Sequence, residues 1–209
     1  LEKSLELDEL INLANSAADL EFDSPVIPKL ESVKKPRIAV GRDEAFCFYY
    51  QDNLDLLVEM GAELIEFSPI HDNKLPDGVD GLILGGGYPE LFAKELSENT
   101  KMLASIKDVI DLGLPTLAEC GGFMYLHKKM EGMDNISYPV VGVIDGEVYR
   151  TPKLNRFGYI DITAKHDQLL GKEGTALKAH EFHYFDSTAC GQSFAAKKPL
   201  RKRGWDCIN

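Results

Sequence analysis

The sequence has no apolar run approaching the ~20 residues that cross a bilayer as a helix, so it predicts a chain without helical membrane contact. It has no surplus of base. Acidic side chains number 34 against 23 basic ones, a formal net charge of −11, whereas a nucleic-acid surface needs a positive footprint. The one basic cluster, KKPLRKR at 197–203, reads as a solvated loop or as a phosphate-contacting patch. Cysteine is scarce. Cys47, Cys120, Cys190 and Cys207 match no zinc or redox spacing, so no metal is expected and the thiols are expected to be reduced, in a cytoplasmic protein. A G-x-x-x-x-G-K-[ST] phosphate loop is missing, as are internal repeats and low-complexity tracts. The opening LEKSLELDEL lacks the basic start and apolar stretch of a signal peptide. It also lacks an initiator Met, which predicts a piece of a longer chain.

What is present suffices for one large core. The 209 residues are 44% hydrophobic and 27% charged, ordinary for a globular domain that needs no disulfide staples. Residues 5–20 place Leu5, Leu10, Leu13, Ala17 and Leu20 near one helical face, with Asp8 and Glu9 suiting the front of a helix dipole. Pro25, Pro28 and Pro36 then break regular structure. Residues 1–35 are therefore expected to be the tail of a preceding domain plus a linker, with the domain proper over 36–209.

That domain alternates strands and helices. RIAVG at 37–41, AELIEFSPI, GVDGLILGGGYPE and LPTLAE at 114–119 read as strands. Residues 46–61, 91–112 and the short FMYLHKKME read as helices. This alternation predicts βαβ units on a parallel, flavodoxin-like sheet with flanking helices. After Tyr138 the helices disappear, and an antiparallel C-terminal extension or second sheet is expected.

Two stretches carry chemistry. In TLAECGGFMYL, 116–126, a thiol stands between an apolar strand and two glycines. A strand–nucleophile–helix elbow lifts a side chain out at the carboxyl end of a sheet, and a helix N-terminus there favours the thiolate. The alternative is a core cysteine beside a tight turn. In LILGGGYPE, 82–90, a second strand ends in glycines at the same sheet edge. Such glycines let backbone amides approach an oxyanion, or they simply make a turn. Together the two loops point to acyl transfer on Cys120.

GGGYPE at 85–90, ECGGFMYL at 119–126, VGRDEAFCFYYQDNLDLL at 40–57, RFGYI at 156–160 and HEFHYF at 180–185 resemble class I glutamine amidotransferases. In detail they are similar to the glutaminase domains of cobyrinic acid a,c-diamide synthases, over roughly residues 36–190. The sister cobyric acid synthases usually carry P-G-[ST] where this chain has Gly86-Gly87-Tyr88-Pro89. The resemblance implies that Cys120 attacks the side-chain amide of glutamine, with Gly86 or Gly87 and Gly121 forming the oxyanion hole. Released ammonia would pass to an ATP- and Mg2+-dependent domain that amidates the a and c carboxylates of a corrinoid. No cofactor is implied in the glutaminase domain itself. Met124, where many relatives have a glutamine, lines the glutamine pocket or packs in the core.

A base is harder to find. A cysteine nucleophile needs a histidine in hydrogen-bond reach. His71 and His166 read as surface, and His127 lies two turns from Cys120, ~10 Å along a helix. His180 and His183 face opposite sides of a strand. His183 resembles the family's F-H-P-E histidine, but Phe185 replaces the orienting Glu and the spacing from Cys120 is short. The expectation is that the chain is truncated at its C-terminus and that the true base follows Asn209. Tyr49 and Tyr50 read as core or as partner-facing, and Arg42 and Asp43 as site edge or as a surface pair. Two rivals remain: a non-catalytic scaffold domain of the same ligase, and an unrelated cysteine hydrolase on the same fold.

Overall fold

β1 (Arg37–Gly41), β2 (Glu63–Phe67), β3 (Gly81–Leu84) and β4 (Thr116–Ala118) form a parallel sheet in the order β2-β1-β3-β4. The computed structural model describes residues 4–23, 26–27, 35–200 and 203–208. In an open sheet of this kind ligands gather at the carboxyl ends of strands where the order reverses. Here those ends are Gly41, Leu84 and Ala118, leading into the Arg42 loop, the Gly85-Gly86-Gly87 loop and Cys120. The parallel sheet and its flanking helices were legible in the sequence.

Helices cover the sheet because their apolar positions have the right spacing. α4 (Thr100–Asp111) buries Met102, Leu103 and Ile106 and is started by Asn99, whose side chain accepts from the Met102 amide, a standard N-cap. The Asn99 amide also donates to the carbonyls of Pro69, Ile70 and Asp72. It thus interrupts the helix expected over 91–112, leaving α3 (Ala93–Glu98) before it and a single 3-10 turn at Pro89–Leu91. The main core joins Phe46, Leu82, Leu84, Leu96, Met102, Ile106 and Tyr125, all essentially without exposure.

Three expectations need correction. The helix predicted over 46–61 starts only at α2 (Gln51–Glu59). Residues 46–50 stay extended because the Phe46 amide bonds to Asp43 and the Phe48 amide to the Gly86 carbonyl. The helix predicted over 123–131 is only α5 (Gly121–Tyr125), and β5 (His127–Glu131) follows at once. The helix predicted over 5–20 is α1 (Leu7–Asn15), with no buried residue.

The expected C-terminal extension is two further sheets. One is mixed, with order β10-β7-β5-β6, built from β5, β6 (Ser137–Pro139), β7 (Ile144–Arg150) and β10 (Phe185–Ser187); β5 and β7 run parallel. The other is antiparallel, β12-β11-β8-β9, with β8 (Arg156–Ala164), β9 (Ala176–His183), β11 (Phe194–Lys197) and β12 (Gly204–Cys207). Its inner face buries Ile160, Ile162 and Phe194. The basic cluster falls on its β11–β12 turn: Lys198 pairs with Glu181 at 3.4 Å and Arg203 stacks on Trp205, while Arg201 and Lys202 lie outside the described residues.

His127, at the start of β5, ties α5 to β10. It is fully buried, with Nδ1 2.8 Å from the Phe123 carbonyl and Nε2 2.6 Å from Ser187 Oγ. Burial holds the imidazole below its ordinary value near 6.5. Below that pH the unfolded chain takes up a proton that the folded one refuses, so stability falls as pH drops. The urea midpoint is expected to decline as pH falls below 6.5, and His127→Gln is expected to flatten that decline.

Candidate active site

The two glycine loops meet at Cys120. β4 ends at Ala118, and the Glu119 amide donates to the Leu84 carbonyl at 2.9 Å, so the chain leaves β4 still tied to β3. It then turns sharply: Cys120 has φ 50° and ψ −106°. A non-glycine residue rarely sits there, and such strain costs of order 1–3 kcal/mol, held by surrounding contacts. The holding contact is Gly122, whose amide donates at 2.9 Å to Gly85 O and to Glu119 O. A Cβ on Gly122 would lie 2.1 Å from the Leu84 carbonyl oxygen, so only glycine fits.

On the opposite loop Gly87 has φ 155°, and a Cβ there would lie 2.1 Å from the Ala45 carbonyl oxygen. Tyr49 is the buttress. Its hydroxyl donates to the Gly41 carbonyl and accepts from the Gly85 amide at 2.9 Å, and desolvation pushes its pKa up to about 12. Tyr50, by contrast, is exposed. A Cβ built on Gly121 would sit 3.3 Å from the Gly87 nitrogen and 3.6 Å separates a Cβ on Gly86 from that of Cys120. Cys120, Gly86, Gly87 and Gly121 therefore converge. Among the described residues no protein oxygen accepts from the Gly87 amide, while the Gly121 amide bonds to the Cys120 thiol itself, so both amides border the atom at which an oxyanion would form.

Other residues separate from this centre. Met124 is buried in the main core, the packing alternative of the two that the sequence left open. Asp43 is neither at the site edge nor paired with Arg42. Its carboxylate gathers the amides of Ala45, Phe46 and Ile70 and the Ser68 hydroxyl, while Arg42 pairs with Glu66 at 2.8 Å. His71 is on the surface beside Glu44, and His166 lies in an exposed bend. His180 is exposed against Tyr159, and His183, half-buried on β9, has Nδ1 2.5 Å from the Phe185 carbonyl. Among the described residues no histidine hydrogen-bonds the Cys120 thiol.

The expectation that a helix N-terminus lowers the thiol pKa is also corrected. The Cys120 pKa is raised, first by desolvation and then by the charges of Glu90 and Glu119, against a lowering contribution from the Gly121 amide. α5 has only five residues, so its dipole is small. The residue as a whole is at the surface, yet enough protein surrounds its sulfur to disfavour the anion. Glu90 was not singled out from the sequence; its place directly after GGGYP was the only signal. Alkylation of Cys120 by iodoacetamide, read by mass spectrometry, is expected to keep accelerating as pH rises past 9.0. A plateau below that value would contradict the burial argument.

Residues 37–202 match the model of the CobB/CobQ-like glutamine amidotransferase domain. The chain belongs to this family. Curated relatives include a cobyrinate a,c-diamide synthase from Caldanaerobacter subterraneus subsp. tengcongensis, 43% identical over 99% of this chain and 46% of that protein. Another, from Priestia megaterium, is 42% identical over 87% of this chain and 39% of that protein. The chain thus spans less than half the length of these relatives. Among solved structures, PurLQS from Thermotoga maritima aligns with a TM-score of 0.55 at 17% identity, covering 79% of this chain and 76% of that one. A Thermoplasma acidophilum protein assigned to GMP synthase aligns with a TM-score of 0.51 at 19% identity, covering 83% of each chain. These two carry the fold. In this chain the thiol of Cys120 sits on a strained turn between two glycine loops.

Proposed function

We propose that this domain releases ammonia from glutamine at Cys120 to feed the ATP-dependent amidation of corrinoid a and c carboxylates. The observation that carries the reading is the meeting of Cys120 with the Gly86-Gly87 loop and with the Gly121 amide, which bonds to the thiol. The Cys120 sulfur attacks the carboxamide carbon. The oxygen takes up the negative charge and is held by the two amides. Collapse of the adduct expels the nitrogen, which leaves as ammonia once protonated, and a γ-glutamyl thioester remains. Water then displaces the sulfur, giving glutamate and the free thiol.

The proton transfers need a base. His183 has its Nδ1 held by the Phe185 carbonyl, and among the described residues no histidine is hydrogen-bonded to the Cys120 thiol. We therefore place the general base outside the described residues. Residues 36–209 form the glutaminase domain in this reading, and 1–35 join it to a preceding cytoplasmic ATP- and Mg2+-dependent domain. The sequence identity to cobyrinate a,c-diamide synthases supports the corrinoid assignment. One observation favours the rival reading, an inert scaffold: burial raises the thiol pKa and, among the described residues, no histidine bonds to it.

The full-length enzyme separates them. Cys120→Ser is expected to abolish glutamine-dependent amidation and to leave ammonia-dependent amidation intact; unchanged glutamine use would establish the scaffold. Gly121→Ala places a Cβ 2.9 Å from Pro89 Cδ and 3.3 Å from the Gly87 nitrogen. It is expected to lower kcat for glutamine by about 10²–10³, the loss of one oxyanion donor.

A further inference from the structure

We propose that Glu90 recognises the α-ammonium group of glutamine and so determines which amides reach Cys120; this rests on the glutaminase reading above. The 3-10 turn Pro89–Leu91 lies on the nucleophile turn, since a Cβ on Gly121 would come within 2.9 Å of Pro89 Cδ and 3.2 Å of Pro89 Cγ. Glu90 is the next residue. Its backbone is pinned by the Met133 amide, which donates to the Glu90 carbonyl at 3.2 Å. Its carboxylate is close enough to Cys120 for its charge to oppose ionisation of the thiol.

That placement is unfavourable for the domain alone. Glu90 is half-buried, and burial shifts its carboxyl upward. Its side chain has no ion-pair partner within 4.0 Å among the described residues, with Arg150 attracting it only from farther away. A desolvated carboxylate without a cation destabilises the fold, and one beside a nucleophilic sulfur also slows attack. Both effects are relieved when a ligand brings a positive charge. Glutamine carries one cation, the α-ammonium, at the opposite end from the reacting amide. Glu90 attracts that group and repels the α-carboxylate beside it, which orients the amino acid with its carboxamide toward Cys120. Neutralising Glu90 also removes one of the two acidic charges that hold the thiol protonated, so binding and activation are coupled.

The test compares glutamine with glutaramate, the same molecule without the α-amino group, in the full-length enzyme. Glu90→Gln is expected to raise the KM for glutamine tenfold or more, to leave the KM for glutaramate unchanged or lower, and to leave ammonia-dependent amidation intact. Glu90→Asp is expected to restore part of the preference for glutamine. Equal effects on both amides, or no effect on either, would overturn the assignment. A diazoketone analogue of glutamine distinguishes the two layers of the argument. Labelling of Cys120 at the same rate in wild type and Glu90→Gln would sink the Glu90 assignment alone. Failure to label Cys120 in the wild-type full-length enzyme would sink the glutaminase reading and the Glu90 assignment with it.

Discussion

The site depends on one close approach, that of Gly122 to the end of β3. Its amide reaches Gly85 O, and its Cα lies so near the Leu84 carbonyl that no side chain could be added. Because Leu84 is fully buried in the main core, the nucleophile turn is referenced to the rigid interior of the sheet and not to a mobile surface loop. Close-packed interiors transmit position with little give. The unusual backbone angles of Cys120 follow from this contact. The chain must leave β4, turn, and start α5 within three residues while keeping Gly122 against Leu84. The strain at Cys120 is what that geometry requires, and the fold sustains it through the paired loops.

The second constraint comes from the other side. Tyr49 bridges the Gly41 carbonyl and the Gly85 amide, which links the ends of β1 and β3 and fixes where the Gly85-Gly86-Gly87 loop begins. Phe48 bonds to the Gly86 carbonyl, and Phe48 and Tyr88 meet edge to face at 5.0 Å. These anchors use the residues that a periodicity reading assigns to the front of a helix. Their burial and hydrogen bonds outweigh helical propensity over 46–50, a tertiary override of a local preference.

Much of this was legible in the sequence. Short apolar strands ending in glycine gave the parallel sheet, and GGGYPE and ECGG read as two loops at one sheet edge, which the structure does bring together at Cys120. The break at Asn99 was not legible, since it depends on three carbonyls from residues 69–72. Nor was the fate of His127, whose burial depends on Ser187, sixty residues away. The protonation state of Cys120 was misjudged for a related reason. A helix can be read from local pattern, but its length and the carboxylates that surround its first turn depend on the fold.

On the proposed reading, that shift fits a domain whose ammonia is used at another site. A glutaminase that ionises its thiol at rest hydrolyses glutamine whether or not ammonia is wanted. Here desolvation and two carboxylates raise the thiol pKa against the pull of the Gly121 amide, and among the described residues no histidine is bonded to the sulfur. On that reading the two glycine loops that would hold the oxyanion already meet at Cys120. Among the described residues the thiol has no histidine partner and Glu90 has no cation within ion-pair distance, Arg150 acting on it only from farther away. On the proposed reading both arrive from outside these residues, the first with the base-bearing segment and the second with glutamine. Pre-formed geometry combined with withheld charge lets the fold stay rigid while activity still waits on its partners.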